Sequence, residues 1–167
     1  MELLKLATEW AKAEVFSTRF FILFAFLFLI ASIGFWQLGK TDLAKAYIIP
    51  TLVAGVLLMT IGLGLFFTNK SRITQFKKAF TTNAAAFYES EIERTESTLK
   101  EYTVVFKVIP ILIVVAALVM LFITTPIWRA ISITTVAMLI VILLVDGTAY
   151  ARIETYHKEL KLLNNNS

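Results

Sequence analysis

Four long stretches of the chain contain no charged residue and are mostly apolar, at positions 20–38, 46–69, 108–128 and 130–145. A bilayer core about 30 Å thick is crossed by about 20 residues of helix, and the first three stretches come close to or exceed that length. The fourth is shorter, so Arg129 and Asp146 are expected near the two interfaces. The pattern predicts an all-α, polytopic membrane protein with four transmembrane helices.

The composition supports this class of protein and excludes several alternatives. The chain has 167 residues, 58% of them hydrophobic, and the polar remainder is too scattered for a separate soluble domain, so 1–167 is predicted to be one domain. Long apolar runs without alternation exclude a transmembrane barrel. The absence of cysteine from the sequence excludes disulfides and thiolate chemistry.

Basic residues near the span ends predict the orientation. Three lie on one side, at Lys40, Lys45 and Arg129. The other thirteen are Lys5, Lys12, Arg19, Lys70, Arg72, Lys77, Lys78, Arg94, Lys100, Lys107, Arg152, Lys158 and Lys161. Both termini are therefore expected in the cytoplasm of a multi-pass protein of the bacterial inner membrane. The net charge of +4 then reflects topology, and no nucleic-acid partner is expected.

Three helical extensions are predicted on the cytoplasmic side. Residues 1–18 have the pattern of an amphipathic helix lying in the membrane interface, with Leu3, Leu6, Trp10 and Ala13 on one face. Residues 70–107 are predicted to form a helical hairpin, in which Asn83 provides the turn and an N-cap. Residues 147–167 are predicted to form a C-terminal helix that ends in the asparagine-rich tail.

Apolar seams at heptad spacing run along the last two extensions. We expect helix packing within one subunit, and a partner-binding coiled coil remains the alternative. The seam residues are Ile92, Leu99, Tyr102, Ile153, Tyr156 and Leu160.

The two juxtamembrane helices resemble each other at an offset of 80 residues, with Arg72, Ile73 and Phe76 matching Arg152, Ile153 and Tyr156. A tandem repeat of two hairpins explains this similarity. The equally weighted alternative is that helices leaving a bilayer inward share a basic and aromatic character.

Small residues predict where the spans pack. The second span is expected at the centre of packing, and the phenylalanine-rich first span is expected to face lipid. The predicted packing residues are Gly55, Gly62, Gly64, Ala116 and Ala117.

Charged residues at the membrane boundary are the candidate sites. Asp146 is expected at the inner depth of Lys107 and Arg19, as an interfacial ion pair or, alternatively, as an ion site at the cytoplasmic mouth. Lipid head groups with negative charge are the expected ligands of a basic set on the second helix. That set is Lys70, Arg72, Lys77 and Lys78.

The sequence gives little support for catalysis. His157 has no second histidine or cysteine for a metal site and is expected at the surface, and no cofactor motif occurs. We therefore expect a non-enzymatic protein that acts through helix-mediated assembly with itself or with other membrane proteins, as an accessory, scaffold or immunity-type subunit. The alternative is an oligomeric ion channel or small transporter with Asp146 at its inner mouth.

Overall fold

The computed structural model describes residues 1–165, and side chains are described as far as residue 163. The described chain is almost entirely helical. Its elements are α1 (Glu2–Leu38), the short α2 (Asp42–Ala46), α3 (Ile48–Thr82), α4 (Ala84–Phe122) and α5 (Pro126–Asn165).

Each of the four long helices contains a stretch apolar and long enough to cross a membrane. This confirms the predicted helical class and the presence of four candidate spans. The orientation, the tandem repeat and the bacterial inner membrane remain predictions. We call residues 1–19, 70–107 and 146–163 the polar half, and the remaining described residues the apolar half.

The turn between α3 and α4 is built on Asn83. Its side-chain oxygen accepts hydrogen bonds from the backbone nitrogens of Ala85 and Ala86, both at 3.1 Å. These bonds satisfy amide groups that the first turn of a helix leaves free, so the predicted N-cap is confirmed. Near the turn, the Phe87 ring packs against Phe76 and Phe80.

All four long helices contribute to one core in the polar half. Ala7 and Trp10 come from α1, Phe76 from α3 and Phe87 from α4, and they pack around buried side chains of α5. The six predicted seam residues lie in this core or against it; Ile153, Tyr156 and Leu160 are buried, and Ile92, Leu99 and Tyr102 border them. Within the described residues, the seams therefore pack inside one subunit.

The N-terminal extension does not form a separate element. The α1 helix runs without interruption from Glu2 to Leu38, and Ala7, Trp10 and Ala11 are buried inside the bundle. The prediction of an interfacial helix over 1–18 is wrong because this stripe of α1 packs on other helices, whereas a helix in the interface plane buries its apolar face in lipid.

Close packing of α1 on α3 dominates the apolar half. A Cβ atom added to Gly55 would lie 2.8 Å from the Leu29 side chain, and one added to Gly62 would lie 2.9 Å from the Phe21 Cβ atom. Both glycines therefore allow the two helices to approach, as predicted for small residues. The prediction for Gly64 is wrong, because no atom outside its own helix lies within 4 Å of an added Cβ.

The first span also differs from its expected role. Phe21 is 2% exposed and Ala25 is fully buried, in a core shared with Leu58 of α3 and with α5. One face of α1 is thus a principal packing surface, and Phe26, at 53% exposure, lies on its outer face.

The apolar part of α4 is the least enclosed. Ile109 is its buried residue among 108–122, whereas Ala116 and Ala117 are half-buried and are flanked by exposed Val115 and Leu118. These two alanines do not supply the atoms closest to Gly55 and Gly62, which belong to α1.

Candidate functional site

Charged and aromatic side chains from all four long helices meet in the polar half. We call them the charged cluster, which consists of Trp10, Glu14, Arg72, Glu91, Arg94, Arg152 and Tyr156. Ionisable groups inside a membrane-protein bundle are costly to bury, and they are therefore the first candidates for a functional site.

Glu91 is the best-satisfied carboxylate of the charged cluster. Arg94 donates to both of its oxygens, from Nε at 2.9 Å and from Nη2 at 2.6 Å, and the Tyr156 hydroxyl donates to Oε2 at 2.7 Å. The Glu91 residue is 3% exposed. Charge-assisted bonds of this kind compensate for desolvation of a buried carboxylate. Burial and the neighbouring Glu91 raise the pKa of Tyr156, so its hydroxyl remains a hydrogen-bond donor.

Glu14 and Arg152 connect α1 to α5. The Arg152 Nε atom donates to Glu14 Oε1 at 2.9 Å, and Glu14 is 8% exposed. Burial raises the pKa of Glu14, and the hydrogen bond and charge of Arg152 oppose that rise without cancelling it. The Glu14 carboxylate is therefore held in buried surroundings that disfavour its ionised form.

Trp10 contacts both an aromatic ring and a guanidinium group, which also lie near each other. Its ring stacks on Tyr156 with 5.4 Å between centroids, and the Arg94 Cζ atom lies 4.1 Å from its ring centroid. A guanidinium at this distance interacts favourably with the ring face. Trp10 thus links α1 to both α4 and α5.

Arg72 differs from the other two arginines of the charged cluster. It donates from Nη1 to the Asn69 side-chain oxygen at 2.8 Å, and among the described residues no carboxylate oxygen lies within 4.0 Å of its guanidinium nitrogens. Burial and the neighbouring Arg94 lower the pKa of Arg72. Its positive charge is thus half-buried beside another cation, and the charges of Glu91 and Glu14 partly offset this effect on its pKa.

A cavity of about 320 Å³ lies beside Arg72, is lined by side chains of all four long helices, and extends toward the apolar half. Polar residues line one part of it and aliphatic residues another. The lining residues are Trp10, Glu14, Ile61, Leu65, Asn69, Arg72, Arg94, Thr98, Glu101, Tyr102, Val105 and Asp146.

Asp146 lines this cavity, but it does not pair as predicted. Within the described part of the chain, no ion pair joins Asp146 to Lys107 or Arg19, and both basic residues are exposed. Arg19 instead lies over the Phe16 ring, at 5.6 Å from the centroid. The predicted interfacial ion pair is therefore not formed, because Asp146 lines the cavity whereas Lys107 and Arg19 are exposed.

The four predicted lipid-binding residues separate into two groups. Lys70, Lys77 and Lys78 are exposed, whereas Arg72 is half-buried and faces the cavity. Three of the four cations thus remain accessible along α3.

His157 is not a surface residue. Its Nδ1 atom lies 2.7 Å from the hydroxyl of Thr95, which is fully buried, and the His157 side chain is 12% exposed. Burial and the charge of Lys161 lower the pKa of His157, while Glu96 raises it. This contact connects α4 to α5. Among the described residues, no group of three His, Cys, Asp or Glu side chains is placed to hold a metal ion.

Sequence reasoning missed Glu14, Glu91 and Arg152 as site residues, because Arg152 was used only to predict the orientation and the tandem repeat, and the two glutamates were not singled out. A signal for one of them was present. Ala7, Trp10, Glu14, Phe21 and Ala25 recur at helical spacing, so Glu14 interrupts an otherwise apolar or small stripe.

Comparisons with protein-family models, with curated proteins and with solved structures gave no match. The fold and the charged cluster are therefore the basis for a functional proposal.

Proposed function

We propose that this chain is a non-enzymatic integral membrane protein that acts through helix-mediated assembly, as an accessory, scaffold or immunity-type subunit of a membrane complex. Its partners are other membrane proteins or further copies of itself. Both termini are proposed to lie in the cytoplasm, with the protein in the bacterial inner membrane.

The observation that carries this proposal is the exposure of α4. Buried residues make up 6% of its most apolar stretch, compared with 17%, 28% and 33% for the other three helices. Val115 is 51% exposed and Ile111 is 62% exposed, on a helix whose polar end is bonded to α5 through Glu91 and Thr95. A helix fixed at one end and uncovered at the other offers a rigid packing surface to a partner helix.

The rigidity of the polar half supports the same proposal. Buried ion pairs contribute little net stability, and their best-established use is to specify one arrangement of helices. Here the Glu14–Arg152 pair joins α1 to α5, and the Tyr156 hydroxyl, which donates to the Glu91 carboxylate held by Arg94, joins α5 to α4. Such an arrangement suits a protein that presents a defined surface.

Single-cysteine crosslinking tests the proposal directly, because the chain contains no cysteine of its own. Val115→Cys on α4 is compared with Ile30→Cys, which lies on the exposed face of α1 at 63% exposure. After oxidation in native membranes, Val115→Cys is expected to give species above the monomer mass, and Ile30→Cys is expected to remain monomeric. Equal crosslinking of both variants, or none, contradicts an interface on α4.

A second candidate function is an ion channel or small transporter. The observation that favours it is that Asp146 lines a cavity together with Glu14 and Arg94. A carboxylate reached from a polar cavity is a common element of cation and proton pathways. Proton flux in liposomes that decreases on Asp146→Asn, with Glu154→Gln as an exposed control, supports this function. Unchanged flux, or a silent wild-type protein, contradicts it.

A further inference from the structure

The end of α3 nearest the turn exposes positive charge without negative charge. No aspartate or glutamate occurs in this helix, and Lys77 and Lys78 are both exposed. Lys78 lies two positions after buried Phe76, about 200° around the helix, so it points away from the bundle. Within residues 1–163, no carboxylate oxygen lies within 4.0 Å of either ammonium group, so neither lysine has an ion-pair partner in this part of the subunit.

Exposed negative charge lies on α4 at the same level. Glu89 and Glu93 are exposed, and neither forms an ion pair within the part of the chain that the structure describes. Each lies two positions from buried Glu91, on the opposite side of the helix. Asn83 alone joins the antiparallel helices α3 and α4, and Lys77 and Glu89 are each six positions from it, so both lie about 9 Å from the turn. The opposite charges thus share one depth but face outward.

The membrane surface is a poor partner for the two lysines. The charge-free stretch of α3 ends at Asn69, and Lys77 follows eight positions later, a rise of about 12 Å. The head-group layer on each side of a bilayer is about 5–8 Å thick. The backbone at Lys77 and Lys78 therefore lies beyond the phosphates, at the depth of the exposed glutamates of α4.

Both charged faces continue into exposed apolar surface. Positions eleven apart complete about three turns and lie on one face of a helix. This spacing aligns three exposed residues on each helix, which are Lys78, Phe67 and Val56 on α3 and Glu93, Val104 and Val115 on α4. Lys100 also lies on the exposed side of α4, at the level of Phe67, and an aromatic ring attracts a cation. The α3 face and the α4 face therefore complement each other along their length.

We infer that the α3 face of one copy of this chain packs on the α4 face of a second copy, with Lys77 and Lys78 opposite Glu89 and Glu93. This contact rests on the proposed assembly through α4 and names a second copy as its partner. Copies of one chain share their orientation in the membrane, so residues at equal depth can meet. The contact joins different faces of the two copies and can therefore repeat around a ring.

The two parts of this contact have different roles. Exposed ion pairs contribute little stability, so the apolar residues supply most of the affinity. Charges across an interface act mainly by rejecting like charge and fixing the register. The lysines of α3 and the glutamates of α4 therefore select the helix on which α4 packs.

Reversal of charge on each face tests the contact. The two double variants are Lys77→Glu with Lys78→Glu, and Glu89→Lys with Glu93→Lys. Each alone is expected to self-associate about tenfold more weakly than the wild type, because two exposed pairs are replaced by repulsions. A mixture of the two double variants is expected to regain the wild-type affinity, because each copy then meets opposite charge on the other.

Energy transfer between labelled copies in phosphatidylcholine liposomes measures this association. All four reversed positions are exposed, so both double variants are expected to fold. Glu159→Lys, at an exposed position of α5 outside both faces, is the control and is expected to associate as the wild type does.

Four results would overturn the inference. A mixture that associates as weakly as each double variant alone would show that the two faces do not meet. Equal weakening by Glu159→Lys would mean that net charge alone governs association. An effect of the lysine reversal that appears only in liposomes with phosphatidylglycerol, without any effect of the glutamate reversal, would assign the lysines to lipid head groups. Wild-type oligomers that neither reversal weakens would leave the proposed assembly intact and remove this contact, whereas a monomeric wild-type protein would contradict both.

Discussion

Removal of Arg152 is the perturbation whose outcome follows most directly from the structure. Arg152→Gln leaves the buried carboxylate of Glu14, a residue 8% exposed, without its ion-pair partner. Breaking a buried pair in this way costs about 3–5 kcal/mol, and we take about 3 kcal/mol because the Arg152 side chain is 29% exposed. For a chain of this length, that loss lowers the Tm by about 6–12 °C.

The pH dependence of this loss has a definite sign. Burial already raises the pKa of Glu14, and loss of Arg152 raises it further. When folding raises the pKa of a carboxyl group, the protein loses stability as the pH rises from the ordinary pKa, 4.5 for glutamate, through the pKa of the folded state. The deficit of Arg152→Gln is therefore expected in full at neutral pH and is expected to shrink as the pH falls toward 4.5.

Thermal unfolding in detergent, followed by circular dichroism, measures both effects. Lys158→Gln is the matched control, since its partner Glu154 lies on the same helix and their 2.9 Å pair is exposed, so its change is expected to be about 0.5 kcal/mol or less. Replacing both partners, as Glu14→Leu with Arg152→Met, is expected to restore most of the stability. If Arg152→Gln behaves like Lys158→Gln, or its deficit is the same at all pH values, the account of this pair is refuted.

Two further predictions concern the helix contacts. Gly62→Ala is expected to destabilise the protein by about 1–3 kcal/mol, because the added Cβ would lie 2.9 Å from Phe21. In Gly64→Ala the added Cβ meets no atom within 4 Å, so this variant is expected to be neutral or stabilising by up to about 1 kcal/mol. Equal Tm changes in the two variants would contradict this packing of α3 on α1. Folding lowers the pKa of His157, so the stability that its neutral form contributes is fully present above pH 6.5 and is lost as the pH falls through the pKa of the folded state. His157→Gln is therefore expected to flatten the decrease in Tm on acidification. An unchanged dependence of Tm on pH in this variant would show that His157 does not titrate in this way.

The helices could be predicted from the sequence because the length of an apolar stretch and the cap of a helix depend on residues that are close together in the chain. Each long helix contains a predicted apolar stretch, and Asn83 caps α4 as its position indicated. The heptad spacing also identified Ile153, Tyr156 and Leu160, which are buried in the polar half.

Contacts between distant parts of the chain could not be predicted from the sequence. Glu14 and Arg152 are 138 positions apart, and a single sequence gives no sign that they meet. Glycine spacing likewise does not show which face of α3 packs on α1, so Gly62 and Gly64 look alike until the structure separates them. The half-buried position of Arg72 depends on the placement of α4 and was hidden for the same reason.

Native mass spectrometry of the protein extracted from its own membrane into lipid discs tests the proposed assembly most directly. We expect a complex that contains this chain together with other copies of itself or with another membrane polypeptide, and a shift toward the monomer when Val115 is changed to a bulky tryptophan. The matched Ile30→Trp variant is expected to leave the complex intact. A protein that is monomeric in these discs, with no associated polypeptide, would contradict a function based on assembly.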